Sequence, residues 1–510
     1  MPISREEHDN HLTDRRTVLK GAGALAAALA TLELAGRGGY VPVREPLTGI
    51  GDAASSLPDI QFDIANYIAP AQTVDGVLVR FGPVHTTFLT AQLLRTPTKA
   101  DQAALGLALE TIDANYPFTA SGIFTFVSYG LPYFRRLPGG LTGSLVSAHM
   151  PRLLSDNSRY VLEEAVPGPT DVSSQNPGIT KLRYNVPVRI ESNDILITIR
   201  GDNPASVADV VSWLGGSDHL AGKSIASVDL SGLLTFTSSR AMFQQMGLPK
   251  NVATSNKLPF ANFINSQSPM WMGFTDQQQS GSGPAAITTC AGNASARLTT
   301  AVPGNYFDNG SVQHLAHDIL DMLQFFDMAT PTSTPGSDGT FTERVQYMFR
   351  STPPPSLGNS DQFTDGGGPS FLDNTFQGTG DALASARGIG TPIDPTTGLP
   401  QHRIGHLSGL QRSSRASDGT PIHIRMDGPG FDSMDVPDGS NQPKLQFTMF
   451  APSADFFRTM RSNQASLDLA AQNNVAPSDN GLERFITATR RQNFLVPPRR
   501  HRIFPLVELT

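Results

Sequence analysis

The sequence holds one cysteine, Cys290, in 510 residues. A disulfide framework within the chain is therefore excluded, and so is any cysteine-rich zinc or iron–sulfur centre. Charged residues reach only 16% and the net charge is −7, so the chain lacks the basic footprint of a nucleic-acid binder. No segment approaches the ~18 consecutive apolar residues of a membrane span. The hydrophobic fraction, 39%, is enough for a real core, and 47 glycines and 39 prolines describe a globular protein with long loops. The length fits two large domains or about three ordinary ones. Without disulfides, stability must come from packing, and a bound cofactor would add to it by mass action.

The N-terminus reads Asp14-Arg15-Arg16-Thr17-Val18-Leu19-Lys20, followed by a mostly apolar run from Gly21 to Leu32. Paired arginines before a short, mildly apolar stretch are the features of a twin-arginine export signal. The run is too short for a comfortable span of ~20 residues. A chain exported by this route crosses the membrane already folded, often with its cofactor loaded, and works in a periplasm or outside the cell.

Periodicity places the main elements. Gly76–Phe81 and Gly122–Tyr129 read as strands, and Leu105, Leu109 and Ile112 mark a helix over Lys99–Asn115. Asp194–Arg200 alternates like a half-buried strand. Asn203 and Pro204 then form a predicted N-cap and first helical position, and Val207, Val210, Val211 and Leu214 line one helical face. Leu445–Phe450, Pro452 and the helical trio Phe456, Phe457 and Met460 repeat that plan in the second half. A recurring strand–Pro–helix unit predicts two related α+β halves with helices packed on antiparallel sheets. Residues 351–400, with STPPP, DGGGP and TPIDPTTGLP, read as a long surface loop.

Of eleven histidines, His314 and His317 lie three apart on a predicted helix and could pair on a metal, but no third ligand is evident nearby. A richer cluster is Gln401-His402-Arg403-Ile404-Gly405-His406, with Arg412 and Arg415 just beyond and Ile422-His423-Ile424-Arg425-Met426-Asp427-Gly428 after them. Upstream stands Trp271-Met272-Gly273-Phe274-Thr275-Asp276.

In order and spacing these segments resemble the dye-decolourising (DyP-type) haem peroxidase family. Gly273-Phe274-Thr275-Asp276 is similar to that family's glycine–x–x–aspartate on the distal side of the haem. His406 looks like its haem-ligating histidine, and Ile424-Arg425-Met426-Asp427-Gly428 like its arginine-bearing strand. LQFTMFAPSADFFRTMR, FVSYGLPYF, NDILITIRGDNPASV and the final Phe494-Leu495-Val496-Pro497-Pro498 resemble its flanking segments. The resemblance spans roughly residues 70–510, with 351–400 aligning poorly. One departure stands out: Gln277 occupies the place of the family's glycine after the aspartate.

The resemblance implies an α+β fold of two ferredoxin-like domains, antiparallel sheets with helices packed on them, of the dimeric α+β barrel type. It divides the chain into a signal at 1–37, a leader at 38–70, an N-terminal domain at 71–240 and a haem-binding domain at 241–510. It implies haem b bound through His406, with Gly273, Phe274 and Arg425 against it, and leaves a homo-oligomer open. Asp276 and Arg425 would act on hydrogen peroxide while an organic reductant supplies electrons. The residue types suit these roles. An imidazole is a strong axial ligand. A carboxylate with an unperturbed pKa near ~3.9 is ionised and ready to move a proton, and a guanidinium stays cationic throughout. His402 and His423 compete with His406 as ligand, and Arg412 and Arg415 with Arg425. Trp271 reads either as an electron relay or as a core aromatic. A second expectation, which Gln277 supports, is an exported haem-binding or haem-handling protein with little turnover.

Overall fold

The computed structural model describes residues 57–163, 181–264, 299–326, 423–465 and 484–510, less positions 71, 75, 76, 80, 81 and 182. The short pieces 269–272, 275–276, 289–290 and 358–359 are described as well. The predicted signal at 1–37, nearly all of 351–400, and His402, His406, Arg412, Arg415, Gly273, Phe274 and Gln277 lie outside these residues.

The first half runs β1 (His85–Leu93), α1 (Lys99–Asn115), β2 (Phe124–Gly130), β3 (Ile195–Gly201), α2 (Pro204–Leu214) and β4 (Leu234–Phe243). The second runs β5 (Ser311–Leu320), a helical turn α3 (Met322–Phe325), the short strands β6 (Ile424–Arg425) and β7 (Gly428–Asp432), β8 (Gln442–Ala451), α4 (Ala454–Ala465) and β9 (Ile486–Val496). With β6 and β7, which pair in turn with β8, counted as one interrupted strand, each half is a β-α-β-β-α-β unit among the described residues. Its first strand pairs antiparallel with its third and fourth: β1 with β3 and β4, β5 with β8 and β9. This is the ferredoxin-like arrangement, and the recurrence of the strand–Pro–helix unit is its sequence trace.

The local signals act as read. Thr98 and Asp101 form a capping box at the start of α1. Asn203 accepts from the Ala205 amide at 2.9 Å, with Pro204 at the first helical position of α2. Val207, Val210, Val211 and Leu214 are all buried.

Among the described residues the strands make one continuous sheet in the order β6-β8-β5-β9-β2-β3-β1-β4, with β7 also on β8. The halves join where Phe494 and Leu495 of β9 pair with Gly130 and Tyr129 of β2. At the opposite edge β7 comes against β4. A Cβ at Gly430 would lie 3.0 Å from the Ala241 carbonyl, and one at Gly428 would lie 3.3 Å from that of Phe243. These distances are tighter than most Cβ contacts, so glycine at both positions lets the strands approach without displacement. The sheet therefore curls round a common interior. Phe88, Phe124, Phe126, Leu196, Met242, Leu315, Phe450 and Phe494, drawn from both halves, pack together there. The helices cover the outer face, where Leu89, Leu105, Leu109, Ile195, Ile197 and Ile199 cluster.

One expectation changes. The Asp194–Arg200 segment was predicted half-buried, yet every residue of β3 is buried. Ile195, Ile197 and Ile199 face the helices, while Leu196, Thr198 and Arg200 face the interior, so the polar positions meet the other half of the barrel instead of water. Residues ahead of β1 also join the core: Phe62 stacks on Phe450 at 4.2 Å, and Gln61 donates to the carbonyls of Val127 and Pro497 at 2.9 and 2.8 Å. The C-terminus also crosses between halves: the Tyr129 and Tyr133 hydroxyls donate to the carbonyls of Arg502 and Pro505 at 2.8 and 2.7 Å.

Candidate functional site

Arg425 closes β6, where it stands opposite Met449 of β8. Met449 is in turn opposite His314 of β5, and His314 opposite Asn493 of β9. Directly paired residues point to the same face of a sheet, so Arg425, Met449, His314 and Asn493 form one row across the helix-covered face. Helix α4 packs on this face, with Phe457 stacked on the His314 ring at 3.4 Å between centroids. Arg491, two residues before Asn493, lies over the Phe457 ring at 5.8 Å.

His314 is buried, and its Nδ1 is 2.7 Å from Asn493 Oδ1. A carboxamide oxygen can only accept, so Nδ1 carries the ring proton. Nε2 is left with a lone pair and has no hydrogen-bond partner. Burial pushes the imidazole down to about 3, with the Asn493 bond opposing the shift, so the ring is neutral throughout the physiological range.

His314 and His317 are not on a helix. They lie on β5, and an odd separation on a strand sends them to opposite faces. The expected metal pair cannot form. Among the described residues no group of three or more His, Cys, Asp or Glu side chains is placed to hold a metal ion.

Asp276 is described in its backbone only: Thr275–Asp276 pairs in parallel with Gly358–Asn359. His423 is buried next to β6, and the relation of His406 to Arg425 lies outside the described residues. Trp271 proves to be a core aromatic. It is buried, its indole N–H donates to the Gly430 carbonyl at 3.1 Å, and its ring lies 6.0 Å from both Phe243 and Phe431. Cys290 is buried as well, and burial pushes its thiol up to about 12, which leaves it unreactive.

The interior face carries a charged chain that the sequence reading missed. Arg240, with no side-chain exposure, pairs with Glu191. Glu191 lies 3.3 Å from Arg490, which grips Asp435. His317 Nδ1 is 3.7 Å from Asp435 and its Nε2 is 3.4 Å from Asp432, beside Lys444 at 3.5 Å. These residues come from both halves. Arg240, His317, Lys444 and Arg490 sit on strands that also carry apolar positions, whereas Glu191 and Asp435 lie outside the strands and carry no such signal.

A family of unknown function (DUF7405) matches residues 368–498, a stretch that includes β6 to β9. No curated protein matches the chain. Among solved structures, the chain is similar to a candidate DyP-type peroxidase from Shewanella oneidensis at 12% identity and a TM-score of 0.44, over 84% of this chain and 95% of that one. It is also similar to the encapsulated DyP-type peroxidase of Mycobacterium smegmatis, at 13% identity and 0.40 over 84% and 96%. A third likeness is to a Rhodococcus jostii DypB variant in complex with heme, at 11% and 0.39 over 82% and 95%.

Proposed function

We propose that the protein is a haem-dependent peroxidase that reduces hydrogen peroxide and oxidises a dye, phenol or other organic reductant. The observation that carries the reading is the place of Arg425: a guanidinium on the helix-covered sheet face, in one row with a buried, neutral imidazole whose Nε2 has no partner. A cation two strands from a buried, neutral imidazole, on one face of the sheet, supports a face that meets a bound group. The order of Gly273-Phe274-Thr275-Asp276, His406 and Arg425 along the chain supports haem b as that group.

His406 would hold the haem iron, and Gly273 and Phe274 would help to hold the group. When bound, the haem supplies an iron centre that takes peroxide and passes electrons to it. The chain's own residues do the rest. The Asp276 carboxylate takes the proton from one peroxide oxygen and returns it to the other, which leaves as water. The Arg425 guanidinium stabilises the negative charge that develops on the departing oxygen. Two electrons and two protons, drawn from the reductant and solvent, complete the reduction of one peroxide to two waters. We place this work outside the cytoplasm, on the strength of Arg15 and Arg16 before the apolar run. No helix among the described residues is long and apolar enough to cross a membrane.

The test is the absorption spectrum of the purified full-length protein, followed by rapid mixing with peroxide and then with a phenol or dye. A Soret band that changes with peroxide and returns with reductant is expected. Absence of a Soret band after loading with haem would end the reading. A band indifferent to peroxide would favour the haem-handling alternative, for which Gln277 is the specific argument.

A further inference from the structure

The segment ahead of β1 crosses between the two halves. Residues 57–68 hold one short 3-10 turn, Ala65–Tyr67, and join no strand ladder. Their main attachments lie far along the chain. The Asp59 carbonyl accepts from the Arg499 amide at 2.6 Å, and the Pro58 carbonyl from Arg499 Nε at 2.8 Å. The Asp59 carboxylate pairs with Arg500 and accepts from Asn309 Nδ2 at 3.0 Å. Phe62 and Ile64 join the apolar end of the barrel interior, with Phe124, Phe126, Phe450 and Phe494.

Gln61 stands at the centre of this segment and is fully buried. The join between β2 and β9 consists of two residue pairs, Gly130 with Phe494 and Tyr129 with Leu495. Carried on by two residues, the same register sets Val127 opposite Pro497. Proline has no N–H to donate across a ladder, so the two strands cannot complete their pairing there by themselves. The Gln61 carboxamide fills the gap. Its Oε1 accepts from the Val127 amide at 2.9 Å, and its Nε2 donates to the Val127 and Pro497 carbonyls at 2.9 and 2.8 Å. A side-chain amide thus stands in for a peptide group of the sheet and satisfies backbone groups that are costly to bury unmet.

We propose that residues 57–68 are a strap across the seam of the two halves, with Gln61 as its latch. The strap docks as one unit after β9 has paired with β2, and its release opens the apolar end of the interior while the sheet stays paired. The order follows from what Gln61 needs. Its partners Val127 and Pro497 must already be side by side, and Pro497 is 436 residues away along the chain. Contacts of such separation form after local ones. Separate release follows from the attachments: the strap is held at a few points and by no continuous ladder, so it opens at lower cost than a strand. A docked strap marks a chain whose last strand is in place. The proposal is independent of the haem and export readings.

The experiment is hydrogen exchange, read by mass spectrometry, on the full chain as wild type, Gln61→Met and Phe62→Leu, with circular dichroism checking each fold. Met keeps the length of Gln and removes its three hydrogen bonds. In wild type, residues 57–68 and the Val127 amide are expected to exchange together, faster than β1 and β4. Gln61→Met should speed that exchange on the order of 10- to 100-fold, and Phe62→Leu by less, with β1 and β4 unchanged. In pulse labelling during refolding, the Val127 amide should gain protection after those of β1. Strap exchange no faster than that of β1 in wild type overturns the proposal, as does protection of Val127 ahead of β1. Acceleration of every strand alike in Gln61→Met, or failure of that variant to fold, overturns it too, because the segment is then an inseparable part of the core.

Discussion

The Arg490 guanidinium grips Asp435 with two parallel hydrogen bonds, Nε to Oδ2 at 2.5 Å and Nη2 to Oδ1 at 2.6 Å. Burial alone would raise the Asp435 carboxyl. The Arg490 fork, with help from His317 and Thr489, reverses that and holds it well below the ordinary carboxylate range. A carboxyl lowered on folding stabilises the fold above its unfolded pKa of ~3.9 and loses that contribution as pH falls toward the folded value. Thermal melts from pH 7 down to pH 2 should show the stability of wild type falling below about pH 4, and Asp435→Asn should flatten that part of the profile. At pH 7 the substitution should cost roughly 2 kcal/mol, the scale of a charge-assisted hydrogen bond. An unchanged acid profile in the variant would remove Asp435 from the network.

Arg240 and Glu191 form a pair with almost no side-chain exposure on either partner. Arg240→Met leaves Glu191 buried with Arg490 alone and should cost about 3–5 kcal/mol. The double change Arg240→Met with Glu191→Leu removes both charges and should recover much of the loss. Denaturant titration of both variants checks this, and additive losses would show that the two do not act as a pair.

The seam between β7 and β4 depends on Gly430. Gly430→Val would place a branched side chain where even a Cβ lies 3.0 Å from the Ala241 carbonyl and 3.1 Å from Gln446 Nε2. The expected loss is about 1–3 kcal/mol, as for an overpacked core, with greater proteolysis of the 423–432 segment. A stable variant with normal proteolysis would mean that the barrel does not close here.

For the proposed chemistry, Asp276→Asn keeps the size and loses the proton acceptor, at a cost of about 100- to 10,000-fold in the reaction with peroxide. Arg425→Leu should cost on the order of 100-fold or more. The losses should be less than additive in the double variant, because both groups act on one O–O cleavage. Stopped-flow rates measure them. Haem content should survive both changes, and a variant that loses haem would point to a binding role in place of a catalytic one.

The proposed export rests on Arg15 and Arg16. Replacing both with Lys keeps the charge and removes the address that the export machinery reads, so the precursor should accumulate inside the cell. Fractionation and immunoblotting check it, and normal secretion of the variant would remove the localisation proposal.

Local order was legible where chemistry and periodicity agree. Helix α1 spans the predicted Lys99–Asn115, and Asn203-Pro204 starts α2, because caps and fixed backbone angles act over a few residues. The repeated strand–Pro–helix unit revealed two like halves, because each half must bury its helices on a sheet of the same kind. His314 and His317 were misplaced because residues three apart can share a helical face, and only strand pairing with Met449 and Gln446 shows that they part. The same limit concealed the Arg240–Glu191–Arg490–Asp435 chain. A polar residue alternating with apolar ones reads as facing water until a second half closes over it. The sequence alone thus determined most of the elements and their repetition, since these depend on neighbours along the chain. Only the tertiary structure decided which sheet face each residue joins and which polar groups are buried together. Those follow from pairings as distant as Glu191 with Arg490, which no local pattern encodes.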